Sequence, residues 1–350
     1  MTASLIAAAA VATAAFVEHI LRHPDGGWDA WMIWNLRARF LARAGEGFRA
    51  AFSPEMLFWV HQDYPLLLPG VVAQGFLAAG SQPLWLPAAA AYGFAAVCVC
   101  LLGAGVAAAR GSNSGLLAAL VLLATPCFVG FAANEQSDVP LACFVLAACA
   151  IGAWAIETGG SRDLLLAGLA ASLGAWTKNE GAVHLASLLV ALLLVRWAPF
   201  PKRLRGAVWF TGGALPVLVL LAWFKLRVAS PNDLLQGNPG SLLDAHRWVS
   251  LGIELARRLV FFQNWGLWLA AELAVVVALV RWRSPPASAC LVGVAAIVSL
   301  VATAIVYVLQ PHELVWFVRA SADRVLIQLW PAIVFATFLS LTPAAAQEAR

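Results

Sequence analysis

The sequence predicts an all-α polytopic membrane protein with about ten transmembrane helices, and three observations predict it. Of its 350 residues, 62% are hydrophobic and only 11% charged, with a mean hydropathy of +0.82, which leaves too little polar surface to cover a water-soluble body of this size. The apolar residues gather into stretches near the roughly 20 residues that carry a helix across a bilayer. Their periodicity is helical or uniformly apolar, without the roughly ten-residue alternating segments of an outer-membrane barrel.

The first span is expected over 3–21; no basic segment opens it, so it reads as retained rather than as a cleaved signal. Residues 22–83 form a long first outer loop. Within it Trp28, Trp31, Trp34, Leu36, Phe40 and Leu41 interleave with Arg37, Arg39 and Arg43 at helical spacing, the pattern of a short helix lying in the headgroup region. The segment after Pro65 is apolar for only about fourteen residues and is punctuated by Pro69, Gly70 and Gly75, which suits a re-entrant or interfacial helix. Further spans are expected at 84–109, 114–133, 138–157, 163–177, 181–198, 206–226, 259–280, 287–309 and 325–342, an even total that puts both termini on one side.

Small residues recur in the spans, as at Ala88 to Ala91 and Gly168 to Gly174, where they favour close helix packing. Basic, proline-containing turns at 199–206 and 281–286 resemble cytoplasmic helix ends. Residues 228–258 form a second polar stretch that ends in an amphipathic segment. The six cysteines fall inside predicted spans without metal-type spacing, so they read as small buried hydrophobes. The expectation is a single membrane domain over 1–350, with no soluble C-terminal domain.

Five short polar clusters interrupt the apolar spans: GWDAWMIWNLR at 27–37, HQDYP at 61–65, NEQSD at 134–138, TKNEG at 177–181 and SADR at 321–324. If the spans cross in order, all five emerge on one side. With a cytoplasmic N-terminus that side also holds more arginines than the other, against a plain positive-inside count. Either the topology is inverted or those arginines are kept there for an anionic ligand.

Each cluster has a functional reading and a plainer one. Asp29, flanked by tryptophans, is a carboxylate that partial desolvation would make a better proton acceptor, or else a helix cap. Asp63, just before a proline and a new helix, is a site acid or an N-cap. Glu135 and Asp138 lie three apart, so on a helical turn they would share a face and could hold a divalent cation or an acceptor amine; the alternative is a solvated turn. Lys178 and Glu180 sit between two spans with almost no loop to solvate them, and polar groups held there usually have a partner or a task. In the last outer loop Arg319 and Arg324 suit a phosphate, because a guanidinium donates two parallel hydrogen bonds and stays charged, although Asp323 beside Arg324 could equally be a structural pair. His312 lacks companions at zinc spacing. Glu272 lies in a predicted span and receives no role.

These clusters, in this order, resemble the C-type (GT-C) membrane glycosyltransferases, the superfamily of protein O-mannosyltransferases and lipid A aminoarabinose transferases. The similarity covers most of the chain and rests on four points: Asp29 in the first outer loop, the juxtamembrane HQDYPLLLP, the acidic turn from Glu135 to Asp138, and the TK-x-x-G signature of Thr177, Lys178 and Gly181. HQDYP departs from the usual proline pair. The resemblance implies a sugar donor on a polyprenyl phosphate, a cytoplasmic N-terminus and an active site on the non-cytoplasmic face; the location expected is the bacterial inner (plasma) membrane, with the site on its periplasmic or extracellular side. It also implies that Asp29 serves as catalytic base or helps to bind metal.

The function expected is therefore glycosyl transfer, with inversion, from a polyprenyl-phosphate donor to a lipid, glycan or protein acceptor. Asp29 would be catalytic, Asp63, Glu135, Asp138 and Glu180 acceptor-, metal- or donor-site acids, and Lys178, Arg319 and Arg324 the donor-phosphate ligands. No cofactor is assigned with certainty, a divalent cation (Mg or Mn) being the one the sequence allows, and nucleic acid is not an expected partner. The alternatives are a lipid-linked sugar transporter or flippase, or a non-catalytic assembly subunit.

Overall fold

The computed structural model describes residues 1–53, 55–56, 60–230, 237–260 and 285–341. Among these the fold is helical throughout: α1 (Thr2–Arg22), α2 (Asn35–Ala44), α3 (Leu67–Ala79), α4 (Trp85–Arg110), α5 (Ser112–Leu123), α6 (Pro126–Ala133), α7 (Asp138–Thr158), α8 (Ser161–Thr177), α9 (Glu180–Leu194), α10 (Phe200–Arg227), α11 (Ala245–Val260), α12 (Ala287–Leu309) and α13 (Leu314–Ser340). Six of these helices, α1, α4, α7, α10, α12 and α13, are long and apolar enough to cross a membrane. The expected span at 259–280, with Glu272, lies almost wholly outside the described residues.

Three expectations are modified. The single span at 114–133 is a pair, α5 and α6, bent by 62°; together they are long enough to count as a seventh crossing. Pro126 opens α6 and has no N–H to continue the ladder from α5. The spans expected at 163–177 and 181–198 are the shorter helices α8 and α9, of 17 and 15 residues. The last span begins at Leu314, not near 325, because the Glu313 carboxylate caps it by accepting from the amides of Val315 and Trp316 at 2.9 and 2.6 Å. Most of the loop expected to carry Arg319, Asp323 and Arg324 is thus helix.

Helices α7 and α13 are buried along most of their length and form the centre, whereas α1 is exposed at the edge. One continuous apolar core joins α4 to α9, α12 and α13. Helices α8 and α10 touch backbone to backbone: a Cβ on Gly168 would stand 1.8 Å from the carbonyl oxygen of Phe210, and one on Gly213 would stand 1.8 Å from that of Leu165. Only glycine allows that approach.

Candidate active site

The first-loop helix is present, but it opens with one π turn, Ala30–Trp34, which leads into α2. Such a turn interrupts the α-helical register and re-aims the side chains around it. Asp29 begins this turn in helical conformation and makes no capping hydrogen bond. Its carboxylate instead meets Arg324 of α13, with Nη1 2.6 Å from Oδ2. Trp28 and Trp31 are exposed, while Trp34 is buried and stacks on Tyr64 at 5.3 Å between centroids.

Arg37, one turn further, is 2% exposed. It donates to the main-chain carbonyls of Val60, His61 and Tyr64, at 2.5 Å to Val60 and 3.3 Å to Tyr64. Burial lowers its guanidinium to about 10, against the opposing pull of Asp63 and Tyr64. These bonds hold HQDYP in a fixed turn in which His61 adopts a φ of 43°, a conformation seldom taken by residues other than glycine.

The centre of the site is Asp138, which is fully buried at the start of α7. Its Oδ1 accepts from Lys178 Nζ at 2.8 Å and from Gln328 Nε2 at 2.6 Å, and its Oδ2 accepts from Arg324 Nε at 3.0 Å. Lys178, 2% exposed, also reaches Glu180 Oε1 at 2.9 Å. Five charged groups from four parts of the chain are thereby linked. The guanidinium of Arg324 is committed on two nitrogens, and its Nη2 is buried with no partner.

Asp63 joins a neighbouring cluster. Its Oδ2 accepts from Asn179 Nδ2 at 2.5 Å and lies 3.3 Å from Lys225 Nζ, which also donates to the Asp63 main-chain carbonyl and, at 2.7 Å, to Asn179 Oδ1. Helix α3 is entered from Leu66 without a side-chain cap, so Asp63 is not the cap the sequence allowed. Glu135, with a φ of 55°, turns away from Asp138 and receives Asn35 Nδ2 at 2.8 Å. Burial raises its carboxyl to about 7, the Asn35 bond opposing and Asp25 reinforcing the shift.

Asp29, Asp138, Lys178, Glu180 and Arg324 therefore meet, with Asp63 one residue contact away through Asn179. All five polar clusters converge at one end of the bundle. Arg319 does not join them: it pairs with Glu254 of α11 at 2.9 and 3.0 Å. Asp323 pairs with Arg258 rather than with its neighbour Arg324. Successive residues of a helix point about 100° apart, so adjacent charges need not share a partner. Glu135 and Asp138 likewise serve separate networks.

Sequence reasoning missed Lys225, Asn179, Asn35 and Gln328. Gln328, a lone amide in an expected span, was a usable signal; Lys225 reads in sequence as an ordinary basic helix end. The Mg or Mn that the sequence allowed does not fit the described donors. No three His, Cys, Asp or Glu side chains among them come together to hold a metal ion, and Asp29, Asp138 and Glu180 are each held by a cation.

A family model described as dolichyl-phosphate-mannose-protein mannosyltransferase matches residues 72–224, which include Asp138, Lys178 and Glu180. The structure of ArnT from Cupriavidus metallidurans bound to undecaprenyl phosphate is similar over 99% of this chain and 62% of that one, with 16% identity and a TM-score of 0.59. Its apo form aligns over 89% and 56%, with 15% identity and a TM-score of 0.52. The chain thus spans less than two thirds of the length of the solved protein it matches. No curated protein sequence matches it. Residues 72–224 are thus similar to that mannosyltransferase family, and along its length the chain has the fold of ArnT.

Proposed function

We propose that the chain transfers a glycosyl group from a polyprenyl-phosphate donor to an acceptor at the non-cytoplasmic membrane surface. The observation that carries the reading is Arg324: two acids, Asp29 and Asp138, hold its guanidinium in place, and the remaining nitrogen, Nη2, is buried and unpartnered. A buried donor without an acceptor is costly unless a ligand supplies one. A phosphate oxygen fits, and Lys178 offers a second cation linked through the same Asp138. The ArnT structure is described with undecaprenyl phosphate, which supports a lipid phosphate as the ligand.

In this reading Asp29 takes the proton of the acceptor nucleophile as that group attacks the anomeric carbon. The bond from that carbon to the phosphate oxygen breaks, and the polyprenyl phosphate leaves with the electron pair, its charge met by Arg324 and Lys178. One displacement inverts the anomeric centre. Asp29 is ion-paired to Arg324 in the resting site, and phosphate binding to the guanidinium loosens that pair and frees the carboxylate as base. Asp138 and Glu180 orient the cations, and Asp63 is held among Asn179 and Lys225.

The test is binding of a polyprenyl monophosphate to the purified chain in lipid nanodiscs. Arg324→Lys keeps the charge but loses the fork and should bind about tenfold or more weakly; Arg324→Ala should lose binding. Unchanged binding by Arg324→Ala would remove the phosphate role.

A further inference from the structure

We propose that the Tyr64 hydroxyl is a third donor to the phosphate, beside Arg324 and Lys178. The inference rests on the proposed function for the identity of the ligand and on the structure for the group itself.

The Tyr64 ring is held on several sides. It stacks on buried Trp34, with centroids 5.3 Å apart and planes within 3°, and on His61, at 4.9 Å and 18°. Its carbonyl accepts from the buried Arg37, and its amide donates to the His61 carbonyl at 2.9 Å. The ring thus has little freedom, and its hydroxyl is set at a fixed point. Lys178 Nζ lies 6.0 Å from the ring centroid, which places the phenol beside the Asp138–Lys178–Arg324 network.

The hydroxyl itself has no hydrogen-bond partner among the described residues. Tyr64 is half-buried, so this hydroxyl is open to a ligand. The phenol also holds its proton firmly: burial raises its pKa well above the usual tyrosine range, the carboxylates of Glu180, Asp63 and Asp29 add to that, and only Arg324 opposes. A phenol that stays neutral can donate to an anionic oxygen without adding a negative charge to a site already holding three carboxylates. That is the property a phosphate needs from a third ligand once two cations are in place.

Polyprenyl monophosphate binding in nanodiscs tests this directly, with wild type, Tyr64→Phe and Arg324→Ala compared. Tyr64→Phe keeps the ring and its stacking, so thermal stability should not move, while affinity should fall about tenfold, the worth of one hydrogen bond to a charged group. Inorganic phosphate as competitor separates headgroup from lipid recognition: its displacement of the lipid should weaken with Tyr64→Phe, and displacement indifferent to the substitution overturns the assignment. Wild-type affinity in Tyr64→Phe together with lost binding in Arg324→Ala overturns the Tyr64 role and leaves the phosphate site standing. A wild-type chain that does not bind the lipid phosphate overturns both.

Discussion

Removing Lys178 should cost more stability than removing Asp138, although Asp138 is the more buried and the more heavily bonded of the two. In the linked cluster two bases, Lys178 and Arg324, face three carboxylates, Asp29, Asp138 and Glu180, a formal net of −1. Asp138→Asn brings that net to zero and leaves two intact pairs, Arg324 with Asp29 at 2.6 Å and Lys178 with Glu180 at 2.9 Å. The loss is then mainly that of charge-assisted hydrogen bonds, about 1.5–2 kcal/mol. Lys178→Met drives the net to −2, with Asp138 fully buried and Arg324 shared between it and Asp29. Breaking a buried pair from one side costs about 3–5 kcal/mol, and since Glu180 is 28% exposed and can rehydrate, the lower end applies, about 3 kcal/mol. The double variant returns the net to −1 and should cost at least about 1 kcal/mol less than the sum of the singles. Unfolding in mixed detergent–SDS micelles, followed by tryptophan fluorescence, gives all three values. An Asp138→Asn loss equal to or larger than that of Lys178→Met would refute the charge-balance argument.

Asp29→Asn keeps the shape of the side chain and one acceptor for Arg324 but cannot take a proton, so turnover of a polyprenyl-phosphate sugar should fall about 10²-fold or more at unchanged expression; near-wild-type turnover would take Asp29 out of the chemistry. Glu135 is held near pKa 7 in the folded chain against about 4.5 in the unfolded one, so the folded state binds the extra proton and its contribution is fully present below about pH 4.5 and lost as pH rises through 7. Thermal stability should therefore fall between about pH 5 and 8 by up to about 3 kcal/mol, and Glu135→Gln should flatten that slope; a slope unaltered in the variant would place its origin elsewhere. Gly213→Ala, which in an open helix would stabilise by about 0.5–1 kcal/mol, should destabilise here because the added methyl meets the Leu165 carbonyl; a higher melting temperature would show that α8 and α10 can part without cost.

The helical membrane class and the positions of most elements were legible in the sequence, because composition and apolar run length respond to the bilayer alone, whatever the neighbouring helices do. The clustering of polar residues was legible for the same reason: charges interrupting apolar runs are expensive enough that their positions carry information. Partnerships were not. Nothing local distinguishes Arg324, which reaches Asp29 and Asp138, from Arg319, which reaches Glu254; the 100° step between helix positions and the placement of α11 decide it. The bend before Pro126 could have been read from the proline, whereas the extension of the last helix back to Leu314 needed the Glu313 cap to form. Lys225 reads as a helix end until α10 brings it beside Asp63, some 160 residues earlier in the chain. Sequence by itself determined which residues cannot lie in lipid; only the packing of α7, α8 and α13 against the first loop determined which of them neutralise one another and that Nη2 of Arg324 is left buried without a partner.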